Sequence, residues 1–278
     1  MRVQSKNIIQ QNIDKLKFQA DLYVTSFRFQ EAEQCFETIM NADTSNFDHV
    51  FAFAVFLNKQ KQYNKGINIL NKALTHAKTD HNKSTVLNNL AFLYFDINQY
   101  DKAEYAYTEA LNINRALAKI NPQIYNSDVA KTLNSLATLQ FDMNQFNKAE
   151  ANYNDALKIN RTLAKTNPQL YHQDLFETFH NLAILQCEMN QYDKAEANYI
   201  EALEINRALA IANPMSYNIT LVKALNYLAN LQSNQKNYVK AETNYTEALQ
   251  ICRKFTKSNP RIYNMNLART CIRKSANA

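Results

Sequence analysis

Apolar residues recur at the spacing of an amphipathic helix along most of the chain. Leu133, Leu136 and Leu139 follow this spacing, and after the polar stretch Asp142–Gln145 it resumes with Ala149 and continues. Neighbours three and four residues apart share one face of a helix, so each run predicts one helix with a single buried face. The short polar stretch between the runs predicts a tight turn. Two helices of this kind form an antiparallel hairpin.

The same hairpin pattern returns at a fixed period. Segments that begin at Asn98, Asn144 and Asn190 align without gaps, and an aromatic residue stands at positions 100, 146, 192 and 238, which are 46 residues apart. All four prolines follow an asparagine with the same period. Towards the N-terminus the aromatic positions 29, 63 and 100 are 34 and 37 residues apart. Six repeats are therefore predicted, and a repeated hairpin buries its apolar face by stacking on its neighbours.

These residues resemble the tetratricopeptide repeat. Leu90, Ala91 and Tyr94 match its first helix, and Tyr100, Ala103 and further residues up to Leu111 match its second. The resemblance implies an all-α, right-handed superhelical solenoid of antiparallel helix pairs over residues 1–278. The predicted units are residues 12–46, 47–83, 84–127, 128–173, 174–219 and 220–263, followed by a capping helix at 264–276.

The later repeats exceed the usual length of about 34 residues. Such long units resemble those of kinesin light chains and of bacterial tetratricopeptide repeat proteins. We expect the added residues to lengthen the second helix of each unit. That helix is predicted to end near Asn167-Pro168, because the residue before proline disfavours helical backbone.

In this family the first helices line a concave groove that binds peptides. Asparagine amides in the groove can grip an extended main chain, and apolar groove residues can form pockets, whereas the alternative is that both only pack neighbouring helices. The family alignment predicts these groove residues: Phe51, Asn88, Phe92, Phe95, Lys131, Asn134, Phe141, His180, Ile184, Lys223, Asn226 and Asn230.

Two further sets of residues recur with the repeat. Tyr107, Tyr153, Tyr199 and Tyr245 occupy a packing position and are predicted to be core. Arg115, Arg161, Arg207 and Arg253 recur late in the second helices. These arginines are predicted to set the register by pairing with an acidic residue of the next unit or stacking on an aromatic ring, and the alternative is an inward-facing basic row.

The net charge of +6 belongs to the C-terminal end, because the chain after Ala248 has no acidic residue. Contact with nucleic acid or an acidic protein is one interpretation, and a solvated helix end favoured by the helix dipole is the other. The basic residues are Arg253, Lys254, Lys257, Arg261, Arg269, Arg273 and Lys274.

The remaining composition favours a binding protein over an enzyme. A single glycine, Gly66, excludes glycine-rich phosphate loops, and no nucleophile with an adjacent base is recognisable. The four cysteines have no C-x-x-C spacing, and neither His76 with His81 nor His172 with His180 has metal-ligand spacing. No cofactor and no metal are predicted. Without a leader or a long apolar run, the protein is expected to be cytoplasmic.

The sequence therefore predicts a non-catalytic scaffold or adaptor that binds a protein or peptide in the concave groove. One alternative is a sensor or regulatory component of a larger bacterial signalling or defence assembly. The other is nucleic-acid contact through the basic end, and a homo-oligomer stays open because an exposed end of such a stack can pair with its copy.

Overall fold

The computed structural model describes residues 2–43 and 46–256, together with 260, 270 and 271. Its described residues form two compact units, 1–139 and 140–278. Each helix packs chiefly against the helices next to it in the sequence. The prediction of an all-α fold made of sequential antiparallel helix pairs is confirmed.

Twelve helices are formed by the part of the chain that the structure describes. The first unit contains α1 (Arg2–Thr25), α2 (Phe29–Ala42), α3 (Phe47–Lys59), α4 (Tyr63–His76), α5 (Asp80–Asp96), α6 (Tyr100–Ile120) and most of α7 (Pro122–Asp142). The second contains the end of α7, α8 (Phe146–Thr166), α9 (Pro168–Glu188), α10 (Tyr192–Ala212), α11 (Pro214–Asn234) and α12 (Tyr238–Phe255).

The turn inside each repeat uses a left-handed residue that is not glycine. At the end of α7, Asn144 has φ of 58°, its N–H donates to Phe141 O at 2.9 Å, and the N–H of Gln145 donates to Gln140 O at 2.8 Å. This pair of bonds is the Schellman motif, which satisfies the last carbonyls of a helix. The equivalent residues, also with positive φ, are Phe27, Lys61, Asn98, Asn190 and Lys236.

The Asn-Pro pairs join one repeat to the next. Asn167 Oδ1 accepts from the N–H of Leu170 at 3.2 Å, and Pro168 is the first residue of α9, where its missing N–H costs no hydrogen bond. The second helix α8 therefore ends at Thr166, as predicted. The added residues lengthen both helices rather than the second alone, since α3 and α4 have 13 and 14 residues while α7 and α8 have 21 each.

Alternating large and small side chains build the core. The repeated tyrosines are core residues as predicted, with exposures of 1% to 5%, and Ala91 and Ala103 are fully buried. Gly66 in α4 takes the position that Ala103 has in the next repeat. A Cβ atom on Gly66 would lie 3.1 Å from Leu93 Cδ1, so α4 and α5 approach each other closely at this position.

A buried asparagine links consecutive repeats. Asn114 Nδ2 donates to Thr132 Oγ1 at 3.1 Å, and Asn160 Nδ2 donates to Thr178 Oγ1 at 2.9 Å, across the same interval of 18 residues. At the third position the residue 18 further along is Ala224 instead of a threonine, and the Asn206 amide donates to Ala202 O at 2.7 Å. Sequence analysis did not identify this series of hydrogen bonds.

The repeated arginines also bridge neighbouring repeats in the second unit. Arg161 donates through Nε and Nη2 to the Glu201 carboxylate at 2.8 and 2.6 Å, and its guanidinium lies 5.2 Å from the centre of the Phe179 ring. Arg207 makes the same bidentate contact with Glu247. The prediction of a register device is confirmed at these two positions, because each pairing joins side chains 40 residues apart.

The strain of a non-glycine residue in the left-handed turn can be tested at Lys236. Lys236 has φ of 63°, a conformation in which its Cβ crowds the backbone. We expect Lys236→Gly to raise the free energy of unfolding by about 0.5–1 kcal/mol, since the relief of strain exceeds the extra chain entropy of glycine. Urea denaturation measures this change. Lys236→Ala keeps the Cβ and is expected to leave stability nearly unchanged, and equal gains in both variants would contradict the explanation.

The hydrogen bond that a buried asparagine forms between repeats can be tested in the same way. Asn160→Ala removes the bond to Thr178 and is expected to lower the free energy of unfolding by about 1–3 kcal/mol. Asn206→Ala is the matched control, because the Asn206 amide donates within its own helix and, among the described residues, its Oδ1 is buried without a partner. Its loss is expected to be clearly smaller. Equal losses in urea denaturation would argue against a special contribution from the bond between repeats.

Candidate functional site

Three predicted groove residues of the first unit meet around one pocket of about 390 Å³. Asn88 and Phe92 of α5 and Lys131 of α7 line it, together with Asn58 of α3. These helices are the first helices of three successive repeats, which is the placement that the family alignment predicted. Phe92 is 42% exposed, so its ring is available to a ligand.

The other predicted groove residues of the first unit do not line this pocket. The Phe51 ring stacks on Phe47 at 5.5 Å, and the Phe95 ring lies 6.0 Å from that of Tyr100. Asn134 is half-buried, and its backbone carbonyl oxygen accepts from the Thr138 hydroxyl at 3.0 Å. Phe51 and Phe95 therefore take part in packing within the unit. Packing of neighbouring helices was the alternative to a ligand pocket for these side chains.

In the second unit, His180 belongs to an aromatic cluster. Its ring stacks on Tyr227 at 3.9 Å with an interplanar angle of 15°, and its Nδ1 lies 3.0 Å from Tyr199 Oη. Burial raises the pKa of Tyr199 far above its ordinary value, so its hydroxyl stays protonated. Ile184, one turn further along α9, is 36% exposed. The Phe141 ring lies 5.9 Å from that of Phe146.

The amides predicted for the groove in α11 are engaged within the chain. Asn226 is 4% exposed, and its Nδ2 donates to Thr270 Oγ1 at 2.9 Å. Asn230 Oδ1 accepts from the hydroxyl of Tyr245, and Lys223 is half-buried. At Asn226 the geometry corresponds to helix packing rather than to a ligand-facing amide, so a partner does not reach it in this arrangement.

Most of the pocket lining was not identified by sequence analysis. The recurrence of Asn114 with Thr132 and of Asn160 with Thr178 was the available signal, because polar residues that repeat inside apolar helices mark a constrained site. Burial raises the pKa of Tyr107 to about 12, so this phenol is neutral at physiological pH. The lining residues missed are Ser84, Asn89, Tyr107, Asn114, Asp128, Thr132 and Ser135.

The basic end is described only in part. Arg253 and Lys254 are exposed in the last turn of α12, where cations interact favourably with the helix dipole. The predicted capping helix 264–276 lies outside the described residues except for Thr270 and Cys271, which are helical. The remaining predicted basic residues also lie outside them, namely Lys257, Arg261, Arg269, Arg273 and Lys274.

Three further features of the described residues concern disulfides, metal binding and membrane insertion. Among the described residues the four cysteines form no disulfide; Cys35 and Cys252 are buried, Cys187 is half-buried and Cys271 is exposed. Among the described residues, histidine, cysteine and carboxylate side chains form no group of three that could hold a metal ion. Within the same residues no helix has both the length and the apolar composition to span a bilayer.

Comparison with known proteins identifies the repeats. Models described as tetratricopeptide repeat match residues 49–116, 130–163 and 176–210. No curated protein sequence matches the chain.

Solved structures share the fold at low sequence identity. BtubC (BKLC) from P. vanneervenii superposes with a TM-score of 0.64 at 19% identity, over 85% of this chain and 92% of that one. The putative kinesin light chain repeats of Podosopora anserina give 0.61 at 14% identity, over 77% and 97%. Pseudomonas aeruginosa pilF gives 0.57 at 14% identity, over 94% and 99%. With the matched repeat models, this likeness in fold shows that the chain is a tetratricopeptide repeat protein.

Proposed function

We propose that this protein is a non-catalytic scaffold or adaptor that binds a protein or peptide through the face formed by its first helices. The observation that carries the proposal is the pocket in the first unit, where first-helix residues of three successive repeats converge on one space. Tetratricopeptide repeats generally mediate protein–protein interactions. Cysteines outside disulfides, such as the buried Cys35, suit the reducing environment of the cytoplasm, where we place this function.

The side chains of this face suit a peptide ligand. Asn58 and Asn88 carry amides that can both donate to and accept from a peptide main chain. Phe92 offers an exposed ring beside them, and a few apolar or aromatic anchors usually dominate the affinity of an interface. A pocket of about 390 Å³ is large enough for one or two side chains of a partner.

The second unit offers a surface of different character on its own first helices. Ile184 is partly exposed on α9, one turn from the stacked rings of His180 and Tyr227. An aromatic and aliphatic surface of this kind suits apolar side chains of a partner. We leave Asn226 and Asn230 out of the proposed contact surface, because both amides bond side chains of this chain.

A binding experiment tests the proposed surface in the first unit. We expect Asn88→Ala with Phe92→Ala to reduce recovery of a specific partner from native cell lysate by about tenfold or more, because both an amide contact and an aromatic anchor are lost. Quantitative mass spectrometry of proteins retained on the immobilised full chain measures the change, and circular dichroism checks that the variant remains helical.

The matched control replaces an asparagine and an aromatic residue of the second helix α6 by alanine. Asn112 and Tyr105 are both exposed there, with Tyr105 at 68%. Asn112→Ala with Tyr105→Ala is expected to retain the partner at the wild-type level. If both double variants lose the same proteins, or neither loses any, the first-helix face is not the binding surface.

A further inference from the structure

Three of the hydroxyl groups that line the first-unit pocket have already used their protons. Ser84 Oγ and Thr85 Oγ1 both donate to His81 O at 2.9 Å, and Thr132 Oγ1 donates to Asp128 O at 2.8 Å. A hydroxyl has one proton and two lone pairs, so after such a bond it presents only acceptor capacity. The polar lining of the pocket is therefore richer in acceptors than its residue types suggest.

The orientation of Asn114 follows from the same argument. Because the Thr132 proton goes to Asp128 O, Thr132 Oγ1 can only accept from Asn114, which must turn its NH₂ group towards it. The Asn114 oxygen is then fixed on the other side of the amide. Asn114 is fully buried, it lines the pocket, and among the described residues its Oδ1 has no hydrogen-bond partner. A buried acceptor of this kind is costly unless a ligand or an ordered water supplies a donor.

A carboxylate and a second amide oxygen add to this acceptor set. Asp128 lines the pocket, and its carboxylate lies 3.5 Å from His81 Nδ1. Asn89 donates through Nδ2 to Thr85 O at 2.8 Å, so its oxygen also remains as an acceptor. Phe92 and Tyr107 contribute ring surface. An acceptor-rich pocket with a carboxylate and aromatic rings favours a cation that carries several N–H donors.

Lys131 is the lining residue that opposes a cation. It is exposed and lies three residues after Asp128, so both charges are on the same face of α7. The Asp128 carboxylate offsets the charge of Lys131. The neutral acceptors of the lining then decide whether the pocket prefers a cation. Replacing Lys131 by an uncharged side chain of similar length is therefore expected to strengthen the binding of a cation.

We propose that this pocket binds a guanidinium or primary ammonium group, with Asn114 Oδ1 and the Asp128 carboxylate as its principal acceptors. The inference rests on the proposed function, since it specifies which side chain of a partner enters the first-unit pocket. Arginine or lysine of a bound peptide and a free small organic cation share this chemistry.

Titration calorimetry and NMR of the full chain with small probes test the proposal. N-acetyl-arginine amide is the primary probe, and N-acetyl-citrulline amide has nearly the same shape without the charge. Ethylguanidinium represents a free cation without a peptide main chain. We expect the arginine probe to bind at least about tenfold more tightly than the citrulline probe, because charge-assisted hydrogen bonds are roughly twice as strong as neutral ones.

Matched variants distinguish a loss of ligand binding in the pocket from a loss of fold stability. Asn114→Ala and Asp128→Asn are expected to weaken the arginine probe by about tenfold or more, because each removes a principal acceptor. Asn160→Ala and Asp174→Asn change the equivalent residues of the next repeat, outside this pocket, and are expected to leave probe binding unchanged. Lys131→Met is expected to tighten binding.

The outcomes distinguish this inference from the proposed function. Tighter binding of the arginine probe than of ethylguanidinium identifies a partner side chain as the source, and equal binding of the two identifies a free cation, with the pocket chemistry upheld in both cases. Equal binding of the arginine and citrulline probes, or no binding of either, overturns the inference. The proposed function then stands or falls separately on whether Asn88→Ala with Phe92→Ala loses a partner.

Discussion

The structure depends on close packing of helices that cannot bury their apolar faces alone. Fully buried alanines such as Ala103 let neighbouring helices approach, and large side chains such as Tyr107 fill the space between them. Gly66 shows how tight this constraint is, since a Cβ there would meet Leu93 at 3.1 Å. Each hairpin therefore requires its neighbour, and within each unit the first helices are held side by side.

That constraint explains why the fold was predictable from the sequence. The 46-residue recurrence of aromatic residues and of Asn-Pro pairs fixes both helix boundaries, because the Schellman turn and the proline at the first helical position are local features. The lengthening of both helices was less predictable. The residue before proline marks the end of α8, but the length of the helix that starts at Pro168 depends on packing against α8 and α10.

The candidate site was predictable only in part. Family register places Asn88, Phe92 and Lys131 at one pocket, whereas Asn226 occupies the same register as Asn88 and is buried against Thr270. Which residues remain accessible depends on the element that follows in the stack, and register alone does not contain that information. The orientation of Asn114 is likewise set by where the Thr132 proton goes, which only the three-dimensional arrangement reveals.

In the proposed function a partner lies against the first helices of the first unit. Incorporation of the photo-crosslinking residue benzoylphenylalanine at Phe92 of α5 or at Tyr105 of α6 tests this contact in living cells, since both side chains are exposed aromatics in the same unit. We expect covalent adducts of one defined mass from position 92 and none from position 105. Adducts from position 105 alone, or from neither position, would show that the partner does not bind the first helices.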